Sequence, residues 1–422
     1  MQHRAATHRG SPILIVAGAG TGKTTTVVGR VASLLESGVD PNRILLLTFT
    51  RRAAAEMLAR VAAMAGPPAR QVWGGTFHSV SNRILRHYGS AAGIPDGFTV
   101  LDHGDGVEML GLIRAEEGLA QRGRRFPRAE TIASIYSRMV NANVALDRVL
   151  DEDFPWCIDH ADDLRGVFRA YTETKRRNRV LDYDDLLLFW RALTTSPIGE
   201  ALRCLFDHIL VDEYQDTNAI QAEIVRSMVG HDTEVCAVGD DAQAIYGFRA
   251  ATPANLWDFP TAHPGAVSVV LEQNYRSTTP ILEVANALLD QPAGGIKAVE
   301  QPRRLWSAAG RGQRPTLLAC EDETQQSRLV AERILDARER GIDLRDQAVL
   351  FRAGHHADGL ELELARRDIP YVKYGGLRYL ETAHVKDLLA LLRILANPAD
   401  ELAWHRVLLS LDGVGPVTAR RL

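Results

Sequence analysis

The sequence predicts an α/β fold of two parallel-sheet units, the second incomplete, with a helical insertion in the first. Three observations predict it. The apolar run Ile13–Val16 leads into the glycine-rich segment Ala17–Thr24 and then into an amphipathic stretch from Thr25. Apolar runs of strand length recur at Arg43–Thr48, Val72–Thr76, His208–Val211, Glu234–Val238 and Val267–Leu271, each ending in polar residues. Between residues 89 and 197 that rhythm stops and helical periodicity replaces it. Buried parallel strands read as near-continuous apolar runs, and ligands gather at their carboxyl ends.

At 422 residues the chain has room for roughly three compact units at about 150 residues each. No apolar run approaches the ~18 residues of a membrane span, and the N-terminus lacks a basic-then-apolar leader, so a cytoplasmic protein without membrane contact is expected. Cys157, Cys204, Cys236 and Cys320 are far apart, which argues against zinc, iron–sulfur and disulfide frameworks. The net charge of −4 means that a nucleic-acid partner would be held by a local groove rather than by bulk charge.

The first element fixes the chemistry. A strand, a glycine-rich turn ending Gly22-Lys23-Thr24, and a helix form the context of a phosphate-binding loop. Gly18, Gly20 and Gly22 let successive backbone N–H groups of the binding segment, Ala17, Gly18, Ala19, Gly20, Thr21, Gly22, Lys23, Thr24 and Thr25, turn toward one anion without an obstructing Cβ. The helix N-terminus adds its dipole, Lys23 reaches the terminal phosphates, and the Thr24 hydroxyl can hold Mg²⁺. Ala17 stands where the pattern has a first glycine. A nucleoside triphosphate with Mg²⁺ is the expected ligand.

The strand Arg43–Thr48 delivers Phe49 with Thr50, Arg51 and Arg52, a set suited to stacking a base and meeting phosphates; a core phenylalanine with solvated arginines fits the same residues. The strand Val72–Thr76 delivers Thr76, Phe77 and His78 in the same way, although His78 taken singly reads as a satisfied structural histidine. Within 89–197 lie two basic patches, Arg122-Arg124-Arg125-Arg128 and Lys175-Arg176-Arg177-Arg179, which read as solvated faces or backbone contacts. The strand His208–Val211 then presents Asp212 and Glu213. Opposite a phosphate loop these suit a Mg²⁺ holder and a group that orients or deprotonates the attacking water. The strand Glu234–Val238 leads to Gln243, placed to sense a γ-phosphate, and to Tyr246, Phe248 and Arg249. Beyond Ser277 a second α/β unit is expected, with strands Thr316–Ala319, Ala348–Phe351 and Tyr371–Tyr374 among helices.

Taken together, Ala17–Thr24, Leu47–Thr50 with Ala53–Met57, Gly75–Ser79, Val211–Thr217, Gly239–Arg249, Gln273–Thr278 and Gly375–Tyr379 with Val385–Asp387 resemble the UvrD/Rep/PcrA type of superfamily 1 DNA helicase, in that family's order. The resemblance implies two RecA-like domains: residues 1–88 with 198–276, and 277–380. It also implies insertions at 89–197 and from 381 to 422. It implies that Gln2 reads adenine, Tyr275 stacks on the base, and Arg276 reaches the γ-phosphate from the second domain. It makes Lys23, Asp212, Glu213, Gln243 and Arg276 the ATPase residues, and Phe49, Thr76, His78, Tyr246, Phe248 and Arg249 the track of single-stranded DNA. It implies ATP-driven 3′-to-5′ movement on single strands and at single-strand/duplex junctions.

Arg51-Arg52 replace the family's usual Asn-Lys, Ala242 replaces an acid, and Phe248 stands where tryptophan is frequent. The family's later DNA-coupling segment and second γ-phosphate arginine have no counterpart up to Leu422, so a fragment with impaired hydrolysis is expected, completed by another polypeptide. An ATP-switched nucleic-acid-binding module and the motor part of a helicase–nuclease are the competing readings.

Overall fold

The computed structural model describes residues 1–120, 126–290, 303–310, 312–374, 383–411 and 414–419. The Gly375–Tyr379 motif and Arg122, Arg124 and Arg125 lie outside the described residues.

All five side chains of β1 (Ile13–Ala17) are buried, as a strand flanked on both edges and covered on both faces requires. It runs parallel to two neighbours, with Ile13 beside Cys236 on one side and beside Val267 on the other. The other strands, in chain order, are β2 (Ile44–Thr48), β3 (Trp73–Thr76), β4 (Thr99–Val100), β5 (Val180–Leu181), β6 (His208–Val211), β7 (Glu234–Gly239), β8 (Val267–Leu271), β9 (Gln273–Asn274) and β10 (Trp306–Ser307). Six of them form one parallel sheet in the order β3-β2-β6-β7-β1-β8. Ala17, Thr48, Thr76, Asp212 and Asp240 therefore meet along a single carboxyl edge.

The two-residue side-chain period of the strands divides the core. Ile13, Ile15, Ile44 and Leu46 pack with Val27, Val31 and Leu34 of α2 (Lys23–Glu36) and with Met57 and Val61 of α3 (Arg51–Ala65). On the opposite face Leu14, Val16, Leu45 and Leu47 pack with Phe77, Val80 and Ile84 of α4 (Phe77–Tyr88) and with Trp190. Ahead of β1, a short helix α1 (Gln2–Thr7) occupies residues that carry no clear pattern in sequence.

The stretch 89–197 divides between two cores. Helices between Leu101 and Tyr171 enclose Leu110, Ile113, Ile132, Ile135 and Leu164, and the β4–β5 pair lies at the chain's entry and exit. The helix Tyr183–Thr195 instead contributes Leu186, Leu187, Trp190 and Leu193 to the core under the main sheet. Periodicity shows that a helix has a buried face but not which core receives it. Lys175 is no surface charge either: it is buried, with Nζ 2.6 Å from Asp182 and 2.7 Å from Asp185.

Two compact units emerge, 1–313 with 393–422, and 314–392. Residues 393–411 join the first unit through Arg393, which pairs with Asp105 at 2.6 Å and with the buried Asp400 at 2.8 Å. In the unit 314–392, helices Glu323–Glu339 and Asp358–Arg366 close on Ala331, Leu360, Leu364 and Ile369. The strands expected at Thr316–Ala319, Ala348–Phe351 and Tyr371–Tyr374 are not formed: none takes part in a ladder among the described residues. Their apolar side chains lie open, with Leu317 97% and Leu350 93% exposed. Parallel pairing is non-local and needs a neighbour, whereas helices satisfy their own backbone. The expected second sheet is thus represented here by its helices.

Candidate functional site

Gly20 and Gly22 adopt φ of +75° and +85°, values that only glycine takes without strain, and Gly22 caps α2. Thr21 Oγ1 donates to the Gly18 carbonyl at 2.8 Å, closing the loop. Lys23, the first residue of α2, is buried, and its Nζ lies 2.9 Å from Glu213 Oε2. Glu213 sits in the left-handed region at φ +51°, an unusual conformation for a residue with a side chain. Gln215 Nε2 donates to the same Glu213 oxygen at 2.9 Å, while Gln215 Oε1 accepts from the Asp240 N–H at 2.9 Å. One amide therefore ties the end of β6 to the end of β7.

Burial pushes the Asp212 carboxyl up to about 7; the Glu213 charge acts the same way and Lys23 opposes it. Burial and Glu213 also raise Asp216, to about 6. Asp212 Oδ1 and Asp216 Oδ1 are buried without a hydrogen-bond partner among the described residues. A carboxylate set of this kind, with orphaned oxygens and with Thr24 lining the same cavity, fits a hard divalent cation that completes its shell with phosphate oxygens and water.

Beyond β8 the chain folds back on the phosphate loop. Asn274 Nδ2 donates to the Ala19 carbonyl at 2.6 Å, and the Tyr275 N–H donates to the Gly20 carbonyl at 2.8 Å. A Cβ at Gly20 would stand 2.8 Å from Arg276 Cβ, so Arg276 abuts the loop within the first compact unit. Gln2 Nε2 donates to the Thr21 carbonyl at 2.7 Å. Gln2, Thr21, Val270, Tyr275 and Trp306 line a cavity of about 520 Å³. Arg30 underpins this wall. It is 1% exposed, it donates to the Ala5 and His8 carbonyls at 3.1 and 2.6 Å, and it pairs with Glu234 at 3.3 Å, anchoring α1 to α2.

A second cavity of about 520 Å³ is lined by Thr24, Asp212, Glu213 and Gln243 together with Phe49 and Tyr246. Phe49 and Tyr246 meet at a 40° tilt with centroids 4.6 Å apart, and Tyr246 lies 5.9 Å from Phe248, which is 74% exposed. The Arg249 guanidinium stands 5.8, 5.7 and 5.6 Å from the rings of Phe49, Tyr246 and Phe248. His78 meets Tyr183 edge to face at 5.5 Å. Thr76 is buried and its hydroxyl caps α4 by accepting from the Ser79 N–H at 3.3 Å.

Burial, reinforced by the charges of Arg249 and Arg51, lowers the His78 imidazole to about 4. Its folded value lies below the unfolded one, so the stability that neutral His78 provides is complete above about pH 6.5 and is lost as pH falls toward 4. The parent chain is expected to lose about 2–3 kcal/mol more than a His78→Asn variant between pH 7 and 4, read from melting curves. Equal losses in the two proteins would refute the assignment.

The structure thus gathers Lys23, Thr24, Asp212, Glu213 and Gln243 at one edge, with Phe49, Tyr246 and Arg249 adjoining. Sequence reasoning missed the connecting residues Gln215, Asn274, Arg30 and Tyr183. Gln215 and Asn274 lie inside quoted motifs, and their amides at strand ends were the available signal; Arg30 and Tyr183 carried none.

Residues 1–264 match the UvrD/REP helicase N-terminal domain family, and residues 269–422 match the UvrD-like helicase C-terminal domain. The chain is 38% identical over 426 aligned residues to the ATP-dependent DNA helicase UvrD1 of Mycobacterium tuberculosis, covering 96% of this chain and 53% of that protein. It is 33% identical over 419 residues to the ATP-dependent DNA helicase PcrA of Staphylococcus epidermidis, covering 97% of this chain and 55% of that protein. The chain spans about half the length of the curated relatives it matches. Among the described residues no helix is long and apolar enough to cross a membrane.

Proposed function

Because the chain belongs to the UvrD/REP helicase family, we propose that it carries the motor of a cytoplasmic ATP-dependent DNA helicase. It tracks single-stranded DNA 3′ to 5′ and works at single-strand/duplex junctions. One observation carries the reading: Asp212, Glu213 and Gln243 share a cavity with Phe49 and Tyr246. Chemistry at the phosphates and stacking of a base are then one residue layer apart.

In this reading Tyr275 and Gln2 hold the base of ATP, and the loop Ala17–Thr25 takes the phosphates on its backbone N–H groups. Thr24 and Asp212 would hold Mg²⁺, which would supply positive charge against the phosphates. Lys23 exchanges Glu213 for a phosphate oxygen. Glu213, so released, orients the attacking water and accepts its proton. Gln243 and Arg276 meet the γ-phosphate, and Gln243 passes its position to Tyr246, three residues on. Phe49, Tyr246, Phe248 and Arg249 grip bases and backbone, with His78 and Thr76 shaping the track behind them.

The open apolar segments at Leu317, Leu350 and Val372 support a further polypeptide completing the unit 314–392. Slow hydrolysis by the 422-residue polypeptide alone belongs to the same reading, since an arginine finger contributes about 10³–10⁵ in rate. The test is steady-state ATP turnover with and without single-stranded DNA, together with displacement of a blocked strand end to read direction. Expected are low basal turnover, stimulation by DNA and 3′-to-5′ displacement once the complete motor is assembled. Absence of both DNA stimulation and nucleotide-dependent DNA affinity would sink the proposal, and turnover at a full helicase's rate would sink the slow-hydrolysis part.

A further inference from the structure

Arg303 lies outside every motif considered so far. Its side chain is 7% exposed, and Nη2 pairs with both Asp240 Oδ1 and Asp241 Oδ1. Asp240 is itself 2% exposed and acts as a hub. Its N–H donates to Gln215 at 2.9 Å, its Oδ1 accepts from the Ala242 N–H at 3.1 Å, and its Oδ2 accepts from Gln243 Nε2 at 2.5 Å. One of the two amide hydrogens of Gln243 is therefore held by Asp240, and a swing of the amide toward a phosphate breaks that bond.

That departure would strand a buried carboxylate oxygen, which is costly unless another donor replaces the amide. Arg303 Nη1 is buried and has no partner among the described residues. A guanidinium presents several donors in a rigid planar fork, and two parallel bonds to one carboxylate are its strongest arrangement. We propose that Arg303 is a positioning residue for the γ-phosphate sensor: it takes up the Asp240 carboxylate as Gln243 leaves for the nucleotide.

The segment bearing Arg303 is well anchored for this work. Leu305 exchanges two hydrogen bonds with Asn286, at 2.9 and 3.0 Å, and Trp306 pairs with Gln273 in the β9–β10 ladder. Leu305 also covers the phosphate loop, since a Cβ at Gly18 would stand 2.6 Å from Leu305 Cδ2. Arg303 thus joins the loop that binds phosphate to the turn that senses it. Without Arg303, the buried Asp240 and the half-buried Asp241 would be two neighbouring like charges, with Gln243 the side-chain donor left to Asp240. The sensor would be held back and triphosphate would lose its advantage over diphosphate.

This inference rests on the triphosphate reading of Ala17–Thr24, and the experiment separates the two. Affinities of the 422-residue chain for ADP·Mg²⁺ and for the Mg²⁺ complex of β,γ-imido-ATP are measured by fluorescence titration for the parent, Arg303→Ala and Arg303→Lys. The preference for triphosphate is expected to fall about tenfold in Arg303→Ala, the scale of one charge-assisted bond, with ADP affinity within about twofold of the parent. Lysine, a point charge that cannot fork across two oxygens, should recover part of the preference. The difference in single-stranded DNA affinity between the two nucleotide states should shrink in step. Should the alanine variant fail to fold, the lysine variant decides: a reduced preference with ADP binding intact supports the proposal. An unchanged preference overturns it, as does equal weakening of both nucleotides, which marks a merely structural residue. A parent chain that binds neither nucleotide overturns the triphosphate reading and this proposal with it.

Discussion

Glu213→Gln is expected to lower ATP turnover by about 10²–10⁴-fold, the usual contribution of a positioned general base, while ATP·Mg²⁺ still binds. The structure adds a second, opposite effect. Glu213 is the partner of Lys23 at 2.9 Å, so in the proposed mechanism ATP displaces it before the ammonium takes a phosphate. A neutral amide is more easily displaced, so nucleotide affinity should rise severalfold as turnover falls. Single-turnover hydrolysis and equilibrium titration on the same preparation give both numbers. Turnover within a few-fold of the parent would remove Glu213 from the chemistry. Retained nucleotide-dependent DNA release in the hydrolysis-dead variant would favour an ATP-switched binding module over a motor.

Tyr246→Ala should weaken single-stranded DNA binding by about 1–3 kcal/mol, roughly five- to 150-fold, and Phe49→Ala should do nearly the same. The rings touch, with centroids 4.6 Å apart, so the double variant should cost clearly less than the sum of the two. The Arg249 guanidinium stands among the three rings, and its loss should reduce the slope of affinity against salt as well as the affinity itself. Oligothymidylate titrations at several salt concentrations provide the measurement. Strict additivity, or no loss in either single variant, would place the strand elsewhere on the surface.

Much of this arrangement is legible in the chain. Strand positions follow from six apolar runs because a strand buried on both faces has nothing else to show. The phosphate loop is legible because glycine is required where φ turns positive, at Gly20 and Gly22. The carboxylates Asp212 and Glu213 follow directly from the run before them. The helix Gln2–Thr7 was missed because its packing is made by Arg30, which fills the open carbonyls at its end from 25 residues away. The helix Tyr183–Thr195 was read as a helix, but its choice of core was not, since an apolar stripe carries no address.

By itself, then, the sequence determined the local objects: the glycine-rich loop, the positions of the sheet strands along the chain, the paired carboxylates and the aromatic cluster after Gln243. These depend on backbone geometry and side-chain period, which act over a few residues. Only the tertiary structure decided how the objects are wired. Gln215 bridges Glu213 and Asp240 because β6 and β7 are neighbours in the sheet. Arg303 meets Asp240 across a separation of 63 residues. The apolar segments at Leu317 and Leu350 remain open because a strand's hydrogen bonds belong to its neighbour. Pairing of buried charges and of parallel strands depends on which elements lie side by side, and that is a property of the whole fold.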